Sequence, residues 1–164
     1  MKTSGQLSLP VSVLPRRIIS GGQTGVDRAA LDAALATGLS HGGWCPKNRR
    51  AEDGPIPMRY LLSETSAAAY HVRTARNVSD SDGTLVILRN RLQGGTLYTV
   101  RCAEKAGKPF FLVRLPEAPS VEEVLCWIRD HAITVLNVAG PRESSEPGIY
   151  EESFRWIIDL FRKF

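Results

Sequence analysis

Short apolar segments alternate with helical patterns along most of the chain, and this alternation constrains the fold more than any other feature of the sequence. The clearest apolar segment, TLVIL at 84–88, is continuous and therefore typical of a strand buried on both faces of a parallel sheet. Further strands are predicted at 17–20, 40–44, 110–113 and 134–138. Because parallel neighbours must be joined by crossover helices, the sequence predicts an α/β protein with a Rossmann-like, doubly wound parallel sheet in three α/β/α layers.

The segments between these strands carry helical patterns with recognisable ends. Helices are predicted at 26–35, 67–77 and 96–106, and two more begin at Ser120 and near Ile149. Glu123 follows Ser120 at the spacing of a capping box. Thr24 is predicted to cap the first helix by accepting the amide hydrogen of Asp27, whose carboxylate suits the positive first turn.

Length and composition favour one domain. A chain of 164 residues with 43% hydrophobic content can bury a single core, and we expect a domain at 16–164 preceded by a flexible arm at 1–15. Cys45, Cys102 and Cys126 form no C-x-x-C pair and leave an odd count, which favours a reducing compartment and predicts a cytoplasmic protein. The apolar stretch near the N-terminus is short and interrupted by Pro10 and Pro15, so no membrane association is expected.

The basic charge balance is moderate, with a formal net charge of +4. Its only tight cluster is Lys47, Arg49 and Arg50, which suits a local anion site as readily as a nucleic acid. Nucleic-acid binders usually carry a dense basic stripe, so a nucleic-acid partner rests on the charge balance alone and is not expected.

Glycine-rich turns follow two of the predicted strands. In open parallel sheets ligands bind outside the carboxyl ends of the strands, so residues after each strand are the informative ones. GGQTG at 21–25 can bring a ligand close to the backbone, and free amides at the following helix start favour phosphate or another oxyanion. Gly94, Gly95 and Thr96 repeat this arrangement. The alternative is a tight strand-to-helix turn without a ligand.

Neither turn matches a Walker A loop or a dinucleotide-binding fingerprint. Basic residues in the segments after the strands could bind oxygen pairs bidentately or could be solvated surface charges. They are Lys47, Arg49, Arg50, Arg89, Arg91 and Arg142. Glu52 and Asp53 are favoured as hydrogen-bond acceptors or salt-bridge partners, with acid/base catalysis as the alternative.

The remaining candidates are a cysteine, a tryptophan and the histidines. Cys45 suits a buried residue better than a nucleophile, and Trp44 suits ligand stacking and the core equally. The three histidines lack metal-ligand spacing, so no metal site is expected.

Six stretches of the sequence together resemble one protein family. They read IISGGQTGVDRAALDAAL, HGGWCPKNRRAEDGPIP, RNVSDSDGTLVI, GGT, AGKPF and LNVAGPRESSEPGIY. Their combination resembles the molybdenum cofactor carrier family, whose Rossmann-like members are related to the cytokinin-activating phosphoribohydrolases and the lysine decarboxylase-like proteins. The resemblance implies a homo-oligomeric carrier for the molybdenum cofactor (molybdopterin), a small-molecule ligand whose pterin bears a phosphate.

The resemblance also implies a set of cofactor-binding residues. One wall of the pocket would comprise Gly21, Gly22, Gln23, Thr24 and Gly25, and Gly94, Gly95 and Thr96 would receive the phosphate. Lys47, Arg49, Glu52 and Asp53 would lie across the mouth, and Asn137, Gly140, Pro141 and Arg142 would close the far side.

One departure from the related phosphoribohydrolases favours binding over catalysis. Those enzymes follow a P-G-G-x-G-T turn with a catalytic glutamate pair, whereas Leu97, Tyr98 and Thr99 follow the turn here. We therefore expect a carrier without fast N-glycosidic cleavage. The alternative is a nucleotide N-glycosidase that uses Glu52 or Asp53.

Overall fold

The computed structural model describes residues 14–164, so the predicted arm at 1–15 lies almost entirely outside the described part of the chain. In chain order the strands and helices are β1 (Arg17–Ile19), α1 (Val26–Thr37), β2 (Ser40–Gly42), β3 (Trp44–Cys45), a 3-10 turn (Lys47–Arg49), β4 (Arg50–Ala51), β5 (Gly54–Pro55), β6 (Ser63–Glu64), α2 (Tyr70–Ser79), β7 (Gly83–Leu88), α3 (Gly94–Lys105), β8 (Phe110–Arg114), α4 (Val121–Asp130), β9 (Val135–Ala139) and α5 (Ile149–Phe161).

Five parallel strands form the central sheet in the order β2-β1-β9-β7-β8. The central strand β9 pairs with β1 through Asn137 and Ile19 and with β7 through Asn137 and Thr84. From β1 the chain crosses through α1 to the outer strand β2, and from β7 it crosses through α3 to the other outer strand, β8. The two crossovers lead in opposite directions, so a topological switch point opens at the carboxyl ends of β1, β9 and β7.

Helices cover both faces of the sheet, and the predicted three-layer Rossmann-like fold is confirmed. Helix α1 packs on α5, and α2 packs on α3. Four alanines of α1 (Ala29, Ala30, Ala33 and Ala34) are fully buried in the main core, where their small side chains let the helix approach its neighbours closely. Every residue of β7 is buried, as the continuous apolar run predicts.

Several predicted boundaries differ from the structure. The strand expected at 40–44 is interrupted at Gly43, whose φ is +124°, and the chain then leaves the main sheet to pair β3 with β6. Residues 50–55, for which no strand was predicted, contain the small antiparallel pair β4 and β5. Helix α2 begins at Tyr70 rather than at 67. The capping box of Ser120 and Glu123 is confirmed.

The predicted cap of α1 is wrong. The cap residue is Gly25, and no side chain caps the helix. The Thr24 hydroxyl instead accepts the amide hydrogen of Glu143 at 3.2 Å and donates to Glu52. Contacts with distant loops therefore replace the local capping bond.

Candidate functional site

A pocket of about 610 Å³ lies at the switch point, between the carboxyl ends of the central strands and helices α2 and α3. Residues that follow β1, β7 and β9 all contribute to its lining. The predicted residues that line it are Gly21, Gln23, Gly94, Gly95, Thr96, Asn137, Gly140, Pro141 and Arg142. The structure does not bring Gly22, Thr24, Gly25, Lys47, Arg49, Glu52 or Asp53 into this lining.

The turn at Gly94–Thr96 is open toward the pocket. Leu97 makes the first helical hydrogen bond of α3, from its amide to the Gln93 carbonyl at 3.1 Å. Within residues 14–164, the amides of Gly94, Gly95 and Thr96 have no hydrogen-bond acceptor. A Cβ added at Gly94 or Gly95 would meet no atom within 4 Å. The helix start therefore offers three amide donors and a positive dipole end to an anion.

The turn at Gly21–Gly25 is instead filled by the protein's own atoms. A Cβ at Gly21 would lie 1.6 Å from Nη1 of Arg73, and one at Gly25 would lie 2.4 Å from the Pro141 carbonyl oxygen. Two of its five amides also have acceptors: that of Gln23 donates to Asp27 at 3.2 Å, and that of Thr24 donates to the Gln23 side chain at 3.0 Å. This turn has the form of a tight strand-to-helix connection.

A buried ion pair forms part of the pocket wall. Nη1 of Arg73 lies 2.9 Å from Oδ2 of Asp27, and both side chains are largely buried. Burial raises the pKa of the Asp27 carboxyl, although the nearby Arg73 charge opposes the shift. Nε of Arg73 is also buried and has no hydrogen-bond partner in the described part of the chain. Arg73 is not among the predicted site residues, because an arginine within a helical pattern carries no signal of burial.

Aromatic side chains from α2 and α3 form another part of the wall. Tyr70 and His71 lie on α2 and Tyr98 lies on α3, and all three line the pocket. The His71 and Tyr98 rings meet edge to face with their centroids 6.2 Å apart. Such rings can contact a planar heterocycle. These residues were also missed, since their helical spacing resembles that of ordinary packing residues.

Comparison with known proteins identifies the family of this chain. The family model described as "Circularly permutated YpsA SLOG family" matches residues 18–161. The chain belongs to this family. A solved structure, "Putative molybdenum carrier protein" from Syntrophus aciditrophicus SB, is 43% identical, with a TM-score of 0.82 over 90% of this chain and 94% of that chain. The resemblance to molybdenum carriers is thereby confirmed at the family level. No curated protein matches the sequence.

In this member of the YpsA SLOG family, loop residues expected at the mouth form hydrogen bonds with other parts of the protein. Arg49 donates to four backbone carbonyls, those of Ile56, Pro57, Tyr60 and Leu62. Arg28 binds both carboxylate oxygens of Asp53 at 2.9 Å. These hydrogen bonds, with the Arg28 charge, lower the pKa of Asp53 despite its partial burial.

Glu52 joins the β4–β5 loop to two other loops. Its carboxylate accepts hydrogen bonds from Thr24 and from the amide and hydroxyl of Ser144. Burial alone would raise the pKa of Glu52, but the hydrogen bonds from Ser144 and Thr24 and the Arg142 charge outweigh it, so the pKa lies below its usual value. Both carboxylates named in the N-glycosidase alternative thus have protein partners outside the pocket lining.

The other candidates have ordinary surroundings. Cys45 is fully buried in a small apolar cluster, as its sequence context favours. Trp44 donates from Nε1 to Asp80 at 2.7 Å and does not line the pocket. Between residues 14 and 164, no group of three or more His, Cys, Asp or Glu side chains could hold a metal ion. In the same range, no helix has the length and apolar character that crossing a membrane requires.

Proposed function

We propose that the protein is a carrier for a phosphate-bearing heterocycle, most specifically the molybdenum cofactor (molybdopterin), with the phosphate bound at the start of α3. The observation that carries the proposal is the open turn at Gly94–Thr96, whose three amides have no acceptor in the described part of the chain and line a pocket of about 610 Å³. That volume lies in the range typical of small-molecule sites. The relative's name, molybdenum carrier protein, supports the choice of ligand.

The residues of the pocket fit the parts of such a ligand. The phosphate would accept hydrogen bonds from the amides of Gly94, Gly95 and Thr96, and the Thr96 hydroxyl lies in the same lining. The heterocycle would lie over the sheet edge at Asn137, against the aromatic rings of α2 and α3. Gly140 and Pro141, which also line the pocket, would close the far side.

Carriage rather than hydrolysis is favoured by the carboxylates of the pocket. Asp27 and Glu146 are the two that line it within residues 14–164. Asp27 is paired with Arg73, and Glu146 accepts the amide hydrogens of Arg89 at 2.9 Å and Asn90 at 3.2 Å. A carboxylate with such partners is a poor proton shuttle, because a proton transfer would break the contacts that hold it.

The proposal also covers the oligomeric state, the cellular location and the domain bounds of the protein. We propose a homo-oligomer that works in the cytoplasm, with residues 1–15 as an arm on the domain at 16–164. The absence of a C-x-x-C pair and the family resemblance support this assignment. Light scattering after size-exclusion chromatography tests the oligomer, and a molar mass equal to that of one chain would contradict it.

The direct test is reconstitution with molybdenum cofactor, followed by measurement of cofactor survival and of bound pterin by mass spectrometry. Wild-type protein should protect the cofactor, and Thr96→Val should protect it less because the variant removes a hydroxyl beside the phosphate site. Thr37→Val is the matched control, since Thr37 ends α1 away from the pocket and bonds only to the carbonyls of Ala33 and Ala34. Folded wild-type protein that gives no protection would contradict the proposal.

A further inference from the structure

Besides the amides at the start of α3, the pocket has a group of arginine side chains around the ring of Tyr70. The guanidinium carbons of Arg73 and Arg142 each lie 5.7 Å from the ring centroid. Both arginines line the pocket. The guanidinium carbon of Arg50 lies 4.9 Å from the same centroid and adds to the local positive field.

Arg73 has an unused donor at this place. Its Nη1 is held by Asp27, but its Nε is buried without a partner among the described residues, and the whole residue is only 9% exposed. A buried donor without an acceptor is unfavourable, and native proteins seldom leave one unless a ligand or water supplies the acceptor. The Asp27 contact also fixes the guanidinium in place, so its positive charge at the pocket wall is preorganised for an anion.

Carboxylates do not balance these guanidinium groups fully. Arg50 forms no ion pair within residues 14–164, and the carboxylate nearest to Arg142 is that of Glu52, at 3.9 Å. Glu52 is itself held by Thr24 and Ser144. Within residues 14–164, Asp27 and Glu52 are the carboxylates paired with the group, so two negative charges stand against three guanidinium groups beside the pocket.

Two strand spacings of the sheet separate this group of arginines from the start of α3. The Arg73 guanidinium lies against Gly21, just after β1, whereas α3 follows β7. Strand β9 lies between β1 and β7. Two strand spacings correspond to about 10 Å.

We propose that the pocket selects ligands with two anionic groups about 10 Å apart, one bound at the amides of Gly94–Thr96 and the other between Arg73 and Arg142. The ligand class is a phosphate monoester whose far end carries a second oxyanion, such as a phosphate or a carboxylate. The inference rests on the phosphate site proposed above and narrows its ligand to elongated dianionic compounds.

The test uses linear α,ω-alkanediol diphosphates of increasing chain length, with alkyl monophosphates of equal length as controls, titrated into the full chain by calorimetry. Monophosphates should bind at α3 with little dependence on length. Diphosphates should bind at least about tenfold more tightly once the spacer lets the two groups reach about 10 Å, because the second contact becomes intramolecular.

Amino-acid substitutions distinguish the arginine site from the phosphate site at α3. Arg142→Gln and Arg73→Lys should each reduce the gain in affinity of the long diphosphates over monophosphates of equal length. Arg76→Gln is the matched control: Arg76 lies on the same helix but stacks on Trp44, with its guanidinium carbon 4.6 Å from the ring centroid, and does not line the pocket. The Arg142 side chain is 43% exposed, so Arg142→Gln should fold normally and decides the result if Arg73→Lys is unstable.

The outcomes distinguish this inference from the proposed function. If no alkyl phosphate binds, the phosphate site at α3 is refuted and the inference falls with it. If monophosphates bind but the diphosphates show no gain at any length, or the gain survives both arginine variants, only the second site is overturned.

Discussion

The two glycine turns of this protein have similar sequences and opposite uses. At Gly21–Gly25 the missing side chains make room for the protein itself, since Arg73, Ile56, Leu62 and the Pro141–Glu143 backbone approach the glycines. At Gly94 and Gly95 the missing side chains leave open space and unpartnered amides. A glycine pair after a strand therefore indicates close approach to the backbone, but it does not tell whether a ligand or the protein makes that approach.

Side chains at or beside the filled turn also form part of the pocket at the open turn. Arg73, which contacts Gly21, reaches from α2 into the pocket lining and adds its positive charge there. Asp27 and Gln23, from the filled turn and the start of α1, also line the pocket. The filled turn thus contributes side chains to the site, and the open turn contributes backbone amides.

The largest effect should come from adding a methyl group at Gly25, where backbone atoms crowd a glycine with a positive φ. Gly25→Ala places a Cβ 2.4 Å from the Pro141 carbonyl oxygen at a φ of +78°. We expect a loss of roughly 2–6 kcal/mol in the free energy of unfolding, from backbone strain plus steric overlap. Denaturant titration measures it. Gly38→Ala is the control, because its φ is +73° but no atom lies within 4 Å of the added Cβ. Equal losses in the two variants would show that crowding at Gly25 is unimportant.

A smaller loss should follow where the obstructing atom belongs to a side chain. In Gly21→Ala the Cβ would lie 1.6 Å from Nη1 of Arg73, so the guanidinium must move and its contact with Asp27 must weaken. We expect about 1–3 kcal/mol of destabilisation. The same variant should bind the long diphosphates no better than monophosphates. Wild-type stability together with wild-type diphosphate binding would mean that Arg73 does not occupy this position.

The carboxylate that closes the filled turn should make stability depend on pH. The pKa of Glu52 lies below its ordinary value in the folded protein, so its contribution to stability is present above that ordinary value and disappears as the pH falls through the folded pKa. Glu52→Gln should therefore cost about 1–2 kcal/mol at neutral pH, and the difference from wild type should vanish in acid.

Thermal unfolding of both proteins between pH 7 and pH 3 measures the Glu52 effect. Glu104→Gln, at an exposed position on α3, serves as the control and should show no such convergence. A constant difference between wild type and Glu52→Gln at every pH would contradict the assigned hydrogen bonds.

The smallest effect on stability is expected at the open turn. Gly95→Ala adds a Cβ that meets no atom within 4 Å in a residue of helix α3, so stability should stay unchanged or rise by up to about 1 kcal/mol. Affinity for alkyl monophosphates should nevertheless fall, since the methyl group stands beside the amide donors. Undiminished phosphate affinity in this variant would place the anion elsewhere.

Much of the fold could be predicted from the sequence because its signals are local. The buried run at 84–88, the alanines of α1 and the capping box at Ser120 depend on neighbouring residues, and the structure agrees with each. Predictions were wrong where distant contacts replaced local ones. The Thr24 hydroxyl, for example, was predicted to cap α1 but bonds to Glu52 and Glu143 instead.

The site was predictable only in part, for a similar reason. The rule that ligands bind after the strands led to Gly94–Thr96 and to Asn137–Arg142, which line one pocket. It could not indicate Arg73, Tyr70 or Tyr98, because helix residues give no sign of which neighbour they face. The same rule also led to Arg49 and Asp53, whose side chains form hydrogen bonds that fix their loops.

The sequence by itself determined the order of strands and helices and the positions of the two glycine turns, because periodicity, capping and glycine content are properties of short segments. Only the tertiary structure decided which turn stays open. That choice depends on α2 carrying Arg73 against the end of β1, to meet a carboxylate 46 positions away in the chain. No local pattern encodes such a contact, since it exists only once the helices have packed on the sheet.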